Sequence, residues 1–209
     1  MASSLFGKGY EPKEGTGSRK LPKGGYIVRI MSAKIENAKS SGLPMLVIQF
    51  DISDGEFSNY YHKKYESDKK FRDNAKYQGI ARIPAIDQEG KARRGFNTFC
   101  GAVEKSNDIK LPQDDTEFLN MLKGKFVGII FRNEEFRGSD GNVYMTAKPT
   151  WYRSVQTIES GEYDIPEDKL LKEDFGIGYD DADDFFGDAP ASGSIADSFS
   201  AAEDDIPFN

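Results

Sequence analysis

Apolar and polar side chains alternate most regularly between Met45 and Ile52, where Leu46, Ile48, Phe50 and Ile52 face away from Val47, Gln49 and Asp51. A period of two is the signature of a β-strand. Tyr26 to Ile35 predicts a second strand, with Ile27, Met31, Ala33 and Ile35 on one face (Arg29 excepted) and Tyr26, Val28 and Ile30 on the other. Ser40-Ser41-Gly42 reads as the turn between them, and Asp54-Gly55 as the next turn. Ser58 to Tyr65 predicts a third, polar and aromatic strand. Glu66 to Arg94 shows no clear period and is basic, which suggests an inserted functional loop.

The period then changes. Phe96, Phe99, Cys100 and Val103 recur at helical spacing, one stripe of a short helix. Asp114 to Lys123 predicts a second short helix, with acids at its start and Gly124 just past its end. Lys125 to Phe136 and Val143 to Val155 predict two closing strands joined at Asp140-Gly141. Three strands, a helical connection and a hairpin give a mainly β chain. The expected fold class is a five-stranded OB-like Greek-key barrel with one or two short helices and a disordered acidic C-terminal tail. Another small β-barrel or an α+β sheet fits the same pattern less closely.

Charge divides this picture. The chain carries 28 Lys and Arg against 35 Asp and Glu, a net of -7. From Glu159 onward there are 16 acids and 2 bases, so residues 1–158 hold 19 acids and 26 bases, a net of +7. A basic body with an acidic tail points toward an anionic partner. The expected domains are a flexible basic arm over 1–24, an OB-like binding domain over 25–158 with 66–94 as its inserted loop, and a mostly disordered partner-binding tail over 159–209.

Enzymatic constellations are scarce. His62 is the single histidine and Cys100 the single cysteine, so no metal set of paired histidines and no internal disulfide is expected. Cys100 lies on the apolar stripe and reads as a small core residue. The acids Asp180, Asp181, Asp183 and Asp184 lack the central glycine and terminal glutamate of a calcium loop. No catalytic residue, metal or cofactor is expected. The absence of a run of about 20 apolar residues, or of a signal-type apolar block, predicts a soluble, cytoplasmic protein without a membrane partner.

The informative stretch interleaves bases with aromatics. Tyr60, Tyr61, Tyr65, Phe71 and Tyr77 alternate with Lys63, Lys64, Lys69, Lys70, Arg72, Lys76 and Arg82, followed by Lys91, Arg93 and Arg94. Basic side chains neutralise phosphates without reading sequence. Aromatic faces stack on unpaired bases. The same residues would also suit an ordinary exposed β-surface. Tyr144, Lys148, Trp151, Tyr152 and Arg153 form a second candidate surface. Alternation groups Tyr144, Lys148 and Tyr152 apart from Trp151 and Arg153, and core packing is the favoured role for Trp151.

Two resemblances bear on function. Asp204-Asp205-Ile206-Pro207-Phe208 resembles the acidic tip of bacterial single-stranded DNA-binding proteins. That resemblance implies an OB domain that holds the strand and a tip that recruits replication, recombination and repair enzymes. In that family Phe is the last residue, whereas Asn209 follows Phe208 here. Gly25-Tyr26-Ile27-Val28-Arg29-Ile30, Phe50-Asp51-Ile52-Ser53-Asp54-Gly55 and Leu122-Lys123-Gly124-Lys125 resemble a phage-encoded family of uncharacterised domains associated with replication and recombination genes. The expectation is a sequence-independent single-stranded DNA-binding protein of an infected bacterial cell, able to form homo-oligomers. The alternatives are an adaptor that engages a host protein through its tail without binding DNA, and, with least support, a nuclease.

Overall fold

The computed structural model describes residues 19–171. Five strands and four helices follow in the order β1 (Gly24–Asn37), β2 (Pro44–Ile52), α1 (Tyr60–Lys69), β3 (Ile80–Pro84), α2 (Arg94–Asn107), α3 (Asp115–Leu122), β4 (Phe126–Arg137), β5 (Val143–Arg153) and α4 (Val155–Ser160). The strands form one antiparallel sheet of order β3-β2-β1-β4-β5. The fold is mainly β and OB-like, as the alternation predicts.

β1 serves two neighbours. Its first half, Gly24 to Arg29, pairs with Phe131 to Phe126 of β4, and Val28 to Asn37 pairs with Ile52 to Pro44 of β2. A register shift between Ile30 and Ser32 lets it bend from one partner to the other. The shift also changes which parity faces inward: Val28 and Ile30 are fully buried before it, whereas Ala33 packs against the core after it and Ile35 is exposed. No single face therefore runs the length of the strand, as Ile27, Met31, Ala33 and Ile35 had suggested.

The core joins Val28 and Ile30 with Leu46, Ile48, Phe50, Ile52, Ile83, Val127, Ile129 and Phe131. Among the described residues β3 and β5 share no ladder, so the sheet is open along that seam and not a closed barrel. Helix α2 contacts β3, β4 and β5 across the gap. Phe99 and Val103 enter the core, and Phe99 meets Tyr152 edge-on at 5.2 Å. The turn of α3 is capped by the Asp114 carboxylate, which accepts from the Glu117 N–H at 3.0 Å.

Two boundaries differ from the sequence expectation. Tyr60 to Lys69 is helix, not strand, and residues 66–94 hold the end of α1 and all of β3 instead of an unstructured insertion. The body also continues past residue 158. Ile158 lies against Gly128, and Tyr163 against Gly25, so closely that a Cβ at either glycine would fall within 2.5 Å of the covering side chain. Pro166 is buried, Lys23 pairs with Asp168 at 2.7 Å, and Lys169 bridges β4 through Asn133 and Glu135. Residues 161–171 thus form a strap along β4. The arm residues 1–18 and the tail from Lys172, including Asp204, Asp205, Ile206, Pro207 and Phe208, lie outside the described residues.

Candidate nucleic-acid interface

The site begins with a buried acid at the end of β2. Asp51 accepts the Ile52 and Tyr61 N–H groups through Oδ1, at 2.8 and 3.0 Å, and the His62 N–H through Oδ2 at 2.8 Å. Two of these donors are N–H groups of the first turn of α1, which have no partner within the helix. Asn59, at the N-cap, has φ 56° and offers no side-chain cap. Asp51 therefore caps α1 from the neighbouring strand and fixes where the helix starts.

This placement separates the aromatics into two groups. Tyr61 is buried in the core, edge-on to Phe50 at 5.5 Å. Tyr60 packs against Phe57 and Tyr61, and its hydroxyl accepts the Leu21 N–H at 3.2 Å. Tyr77 donates its hydroxyl to the Phe50 carbonyl at 3.1 Å. Burial, with the nearby Asp51 charge, raises the Tyr77 hydroxyl far above the ordinary tyrosine range. Tyr61 is raised by burial and by Tyr60. These three rings hold the helix to the sheet. Tyr61 in particular has no face open for stacking, contrary to the sequence expectation.

The second group faces solvent. Phe71 is 84% exposed, the highest value among the exposed large apolar residues of the described chain. It sits in the turn that ends α1, where the Phe71 and Arg72 N–H groups both donate to the Asp68 carbonyl at 3.0 and 2.9 Å. Lys70, Arg72 and Lys76 are exposed around it. One turn earlier, the Lys69 ammonium lies 5.5 Å from the Tyr65 ring centroid, and Tyr65 leans on Tyr77 at 6.0 Å. Lys63 is exposed, with its ammonium donating to the Ser58 carbonyl at 2.9 Å, and Lys64 is half-buried.

β3 carries the surface onward. It starts beside Gly79, whose carbonyl accepts from the Phe50 N–H. At its far end, about 13 Å on at strand rise, Ala85 receives the Arg93 N–H. Arg82, half-buried, sits opposite Val47, which also lies opposite Lys34 of β1. Arg93 braces the loop by donating Nε to the Ile86 carbonyl at 3.1 Å. Arg94 is exposed at the first turn of α2, where a cation works against the helix dipole and gains the helix nothing.

The closing strand departs from simple alternation. A register shift between Ile130 and Phe131 makes Trp151 and Pro149 partners of consecutive β4 residues. Tyr144 and Lys148 therefore face outward together with Trp151 and Arg153, while Tyr152 alone turns into the core. Trp151 is 37% exposed, with the Arg153 guanidinium 5.6 Å from its ring, so it is not a core residue. Lys148 is tied to Glu134 at 3.2 Å, which also holds Arg132 at 2.9 Å. It is remote in topology from the α1 group, and its charge is already matched. Sequence reasoning passed over Phe136, which is exposed and pairs with Tyr144 at 5.8 Å between rings. Its place opposite Tyr144 across Asp140-Gly141 was the available signal.

Cys100 is half-buried against the core, and burial, then the Glu104 charge, pushes its thiol up to about 11. Among the described residues no group of three His, Cys, Asp or Glu is placed to hold a metal ion, and no helix is long and apolar enough to cross a membrane.

A mainly β, OB-like open sheet defines the class of this protein. The family described as "Protein of unknown function (DUF669)" matches residues 10–148, and the chain belongs to it. No curated protein matches the chain.

Proposed function

We propose that this protein binds single-stranded DNA without sequence preference, and that it serves phage DNA replication or recombination in the bacterial cytoplasm. The observation that carries this reading is Phe71, held out in solvent at the end of α1 among Lys69, Lys70, Arg72 and Lys76. An aromatic side chain with no covering partner has an unfavourable hydration term, which stacking on a base relieves. The surrounding ammonium and guanidinium groups neutralise the phosphates on either side. OB-type folds bind oligonucleotides on the strand 2–3 face, and Arg82 on β3 and Arg94 at the start of α2 add basic groups to the set. Phe71, Tyr65, Lys69, Lys70, Arg72, Lys76, Arg82 and Arg94 form the contact set. Tyr60, Tyr61 and Tyr77 support the helix from behind.

In the same reading Asp204, Asp205, Ile206, Pro207 and Phe208 recruit replication or recombination proteins: the acids suit a basic rim and the Phe fills a pocket. Binding to oligothymidine and to duplex DNA, measured by fluorescence anisotropy across a salt series, tests the proposal. The expected result is preference for the single strand with a clear negative salt slope. No binding at low salt would overturn it and favour an adaptor that acts through the tail.

A further inference from the structure

The two edges of the sheet are protected very differently. β3 is five residues long, carries Arg82 and ends on Pro84. Short length, a charge and a proline are the ordinary defences of an edge strand. β5 is eleven residues long and pairs only with β4 among the described residues. Its defences, Lys148 and Pro149, are confined to the middle of the strand. The segment before them, Val143-Tyr144-Met145-Thr146-Ala147, carries no charge and no proline. Val143, Tyr144 and Met145 are 49%, 42% and 37% exposed.

Both faces of this outer half are apolar as well. Phe136 and Tyr144 form a cross-strand pair on one face, and Val143 and Met145 lie on the other, opposite Arg137 and Glu135. A long, uncharged edge with apolar side chains on both faces is a template for another strand.

Charge decides what kind of partner fits. Between Arg132 and Lys148 the hairpin holds Arg132, Arg137 and Lys148 against Glu134, Glu135 and Asp140, a net of zero. Residues 60–76 hold six bases against three acids. The α1 region therefore attracts phosphate and the hairpin does not. The hairpin charges cancel within each copy, so two hairpins approach without net repulsion, whereas two α1 regions, each with an excess of bases, repel one another.

We propose that the free edge of β5 is the dimer interface of this protein, and that its occupant is β5 of a second copy. The two strands run antiparallel about a twofold axis at Met145, with Tyr144 opposite Thr146 and Val143 opposite Ala147. Such a contact is isologous and closed, so it ends at two copies instead of growing into fibres. The two sheets become one of ten strands. Lys148 and Pro149 then limit the paired segment to Val143–Ala147. The edge and its charges favour this dimer whether or not the protein binds DNA.

The test is made without nucleic acid. Sedimentation velocity of the full chain, from micromolar to near-millimolar protein, is expected to show a concentration-dependent dimer. Met145→Lys brings two ammonium groups together at the axis and is expected to weaken dimerisation at least tenfold while leaving the thermal melt of the monomer unchanged. In a Cys100→Ser background, a short bismaleimide is expected to couple two copies of the Met145→Cys chain and not of a Phe126→Cys chain, since Phe126 is exposed at the opposite end of β4. A chain that stays monomeric throughout overturns the proposal. So does a dimer that Met145→Lys leaves intact, or one in which Phe126→Cys couples as well as Met145→Cys.

Discussion

Asp51, Phe71 and Tyr152 illustrate three different uses of a single side chain. Asp51 is a buried carboxylate whose oxygens are occupied by backbone donors at the start of α1. Asp51→Ala would leave those N–H groups without partners, at an expected cost of about 1–3 kcal/mol, read as a lower urea midpoint. Phe71 contributes almost nothing to the fold. Phe71→Ala is expected to leave the thermal midpoint unchanged while weakening oligothymidine binding by about 1–3 kcal/mol; equal affinity would remove Phe71 from the interface. Tyr152 fills the core, but its hydroxyl is buried with no hydrogen-bond partner among the described residues. Tyr152→Phe removes that orphaned group, and stability is expected to rise by about 1 kcal/mol. A fall would show that the hydroxyl has a partner.

Alkaline stability also belongs to this scale. Cys100 is raised from 9.0 to about 11, and Tyr26, chiefly by burial, from 10.0 to about 12. Both groups are neutral when protonated, and both ionise at lower pH in the unfolded chain than in the fold. Their contribution is therefore complete below pH 9 and is lost as pH rises from 9 toward 12. Urea midpoints should decline over that range, and Cys100→Ser should flatten the part between pH 9 and 11.

At the scale of elements, the legible parts of the sequence were those in which local pattern and burial agree. β2, the β4–β5 hairpin, α2 and α3 fall where alternation, helical spacing and capping residues place them. Ser58 to Tyr65 misleads because tyrosines favour strands, whereas Tyr61 and Tyr65 stand four residues apart on one helical flank and the cap is supplied by Asp51, in a different element. β3 was hidden because five residues with one arginine and a terminal proline give little period to count. The bends in β1 and β5 reverse parity midway, so Ala33 and Trp151 sit on faces that strict alternation denies them. The basic and aromatic composition of the interface could be read in advance. Which rings are free could not, since Tyr61 and Phe71 differ only in what packs around them.

The strap is likewise a property of elements in contact. Gly25 and Gly128 leave room for Tyr163 and Ile158. Gly128→Ala is expected to destabilise the fold by about 1–3 kcal/mol. Ile158→Ala in the same chain should recover part of that loss, and only part, because the added Cβ also comes within 2.9 Å of the Arg153 carbonyl oxygen.

For the whole molecule, charge is the governing quantity. The chain is at -7, yet residues 1–171 alone stand at +3. On the proposed DNA-binding reading, a segment of net -10 is expected to compete with the nucleic acid for the basic groups of the body, through a field that salt screens within about 10 Å at 0.1 M. Removing residues 172–209 is expected to tighten oligothymidine binding most at low salt and to have a diminishing effect as salt rises. Unchanged affinity at every ionic strength would exclude that competition.

The divided pairing of β1 has a further consequence, for the order in which the chain assembles. Its second half meets β2 across a short turn, so that hairpin can form as soon as Ile52 has been synthesised. Its first half must wait for β4, since Val28 pairs with Val127 and Gly24 with Phe131. Contacts of such long sequence separation form late and slow the overall rate. Until β4 arrives, the side of Gly24 to Arg29 that faces β4 stays unpaired. The interval between β2 and β4 on the ribosome is the period in which this protein is most exposed to misassembly.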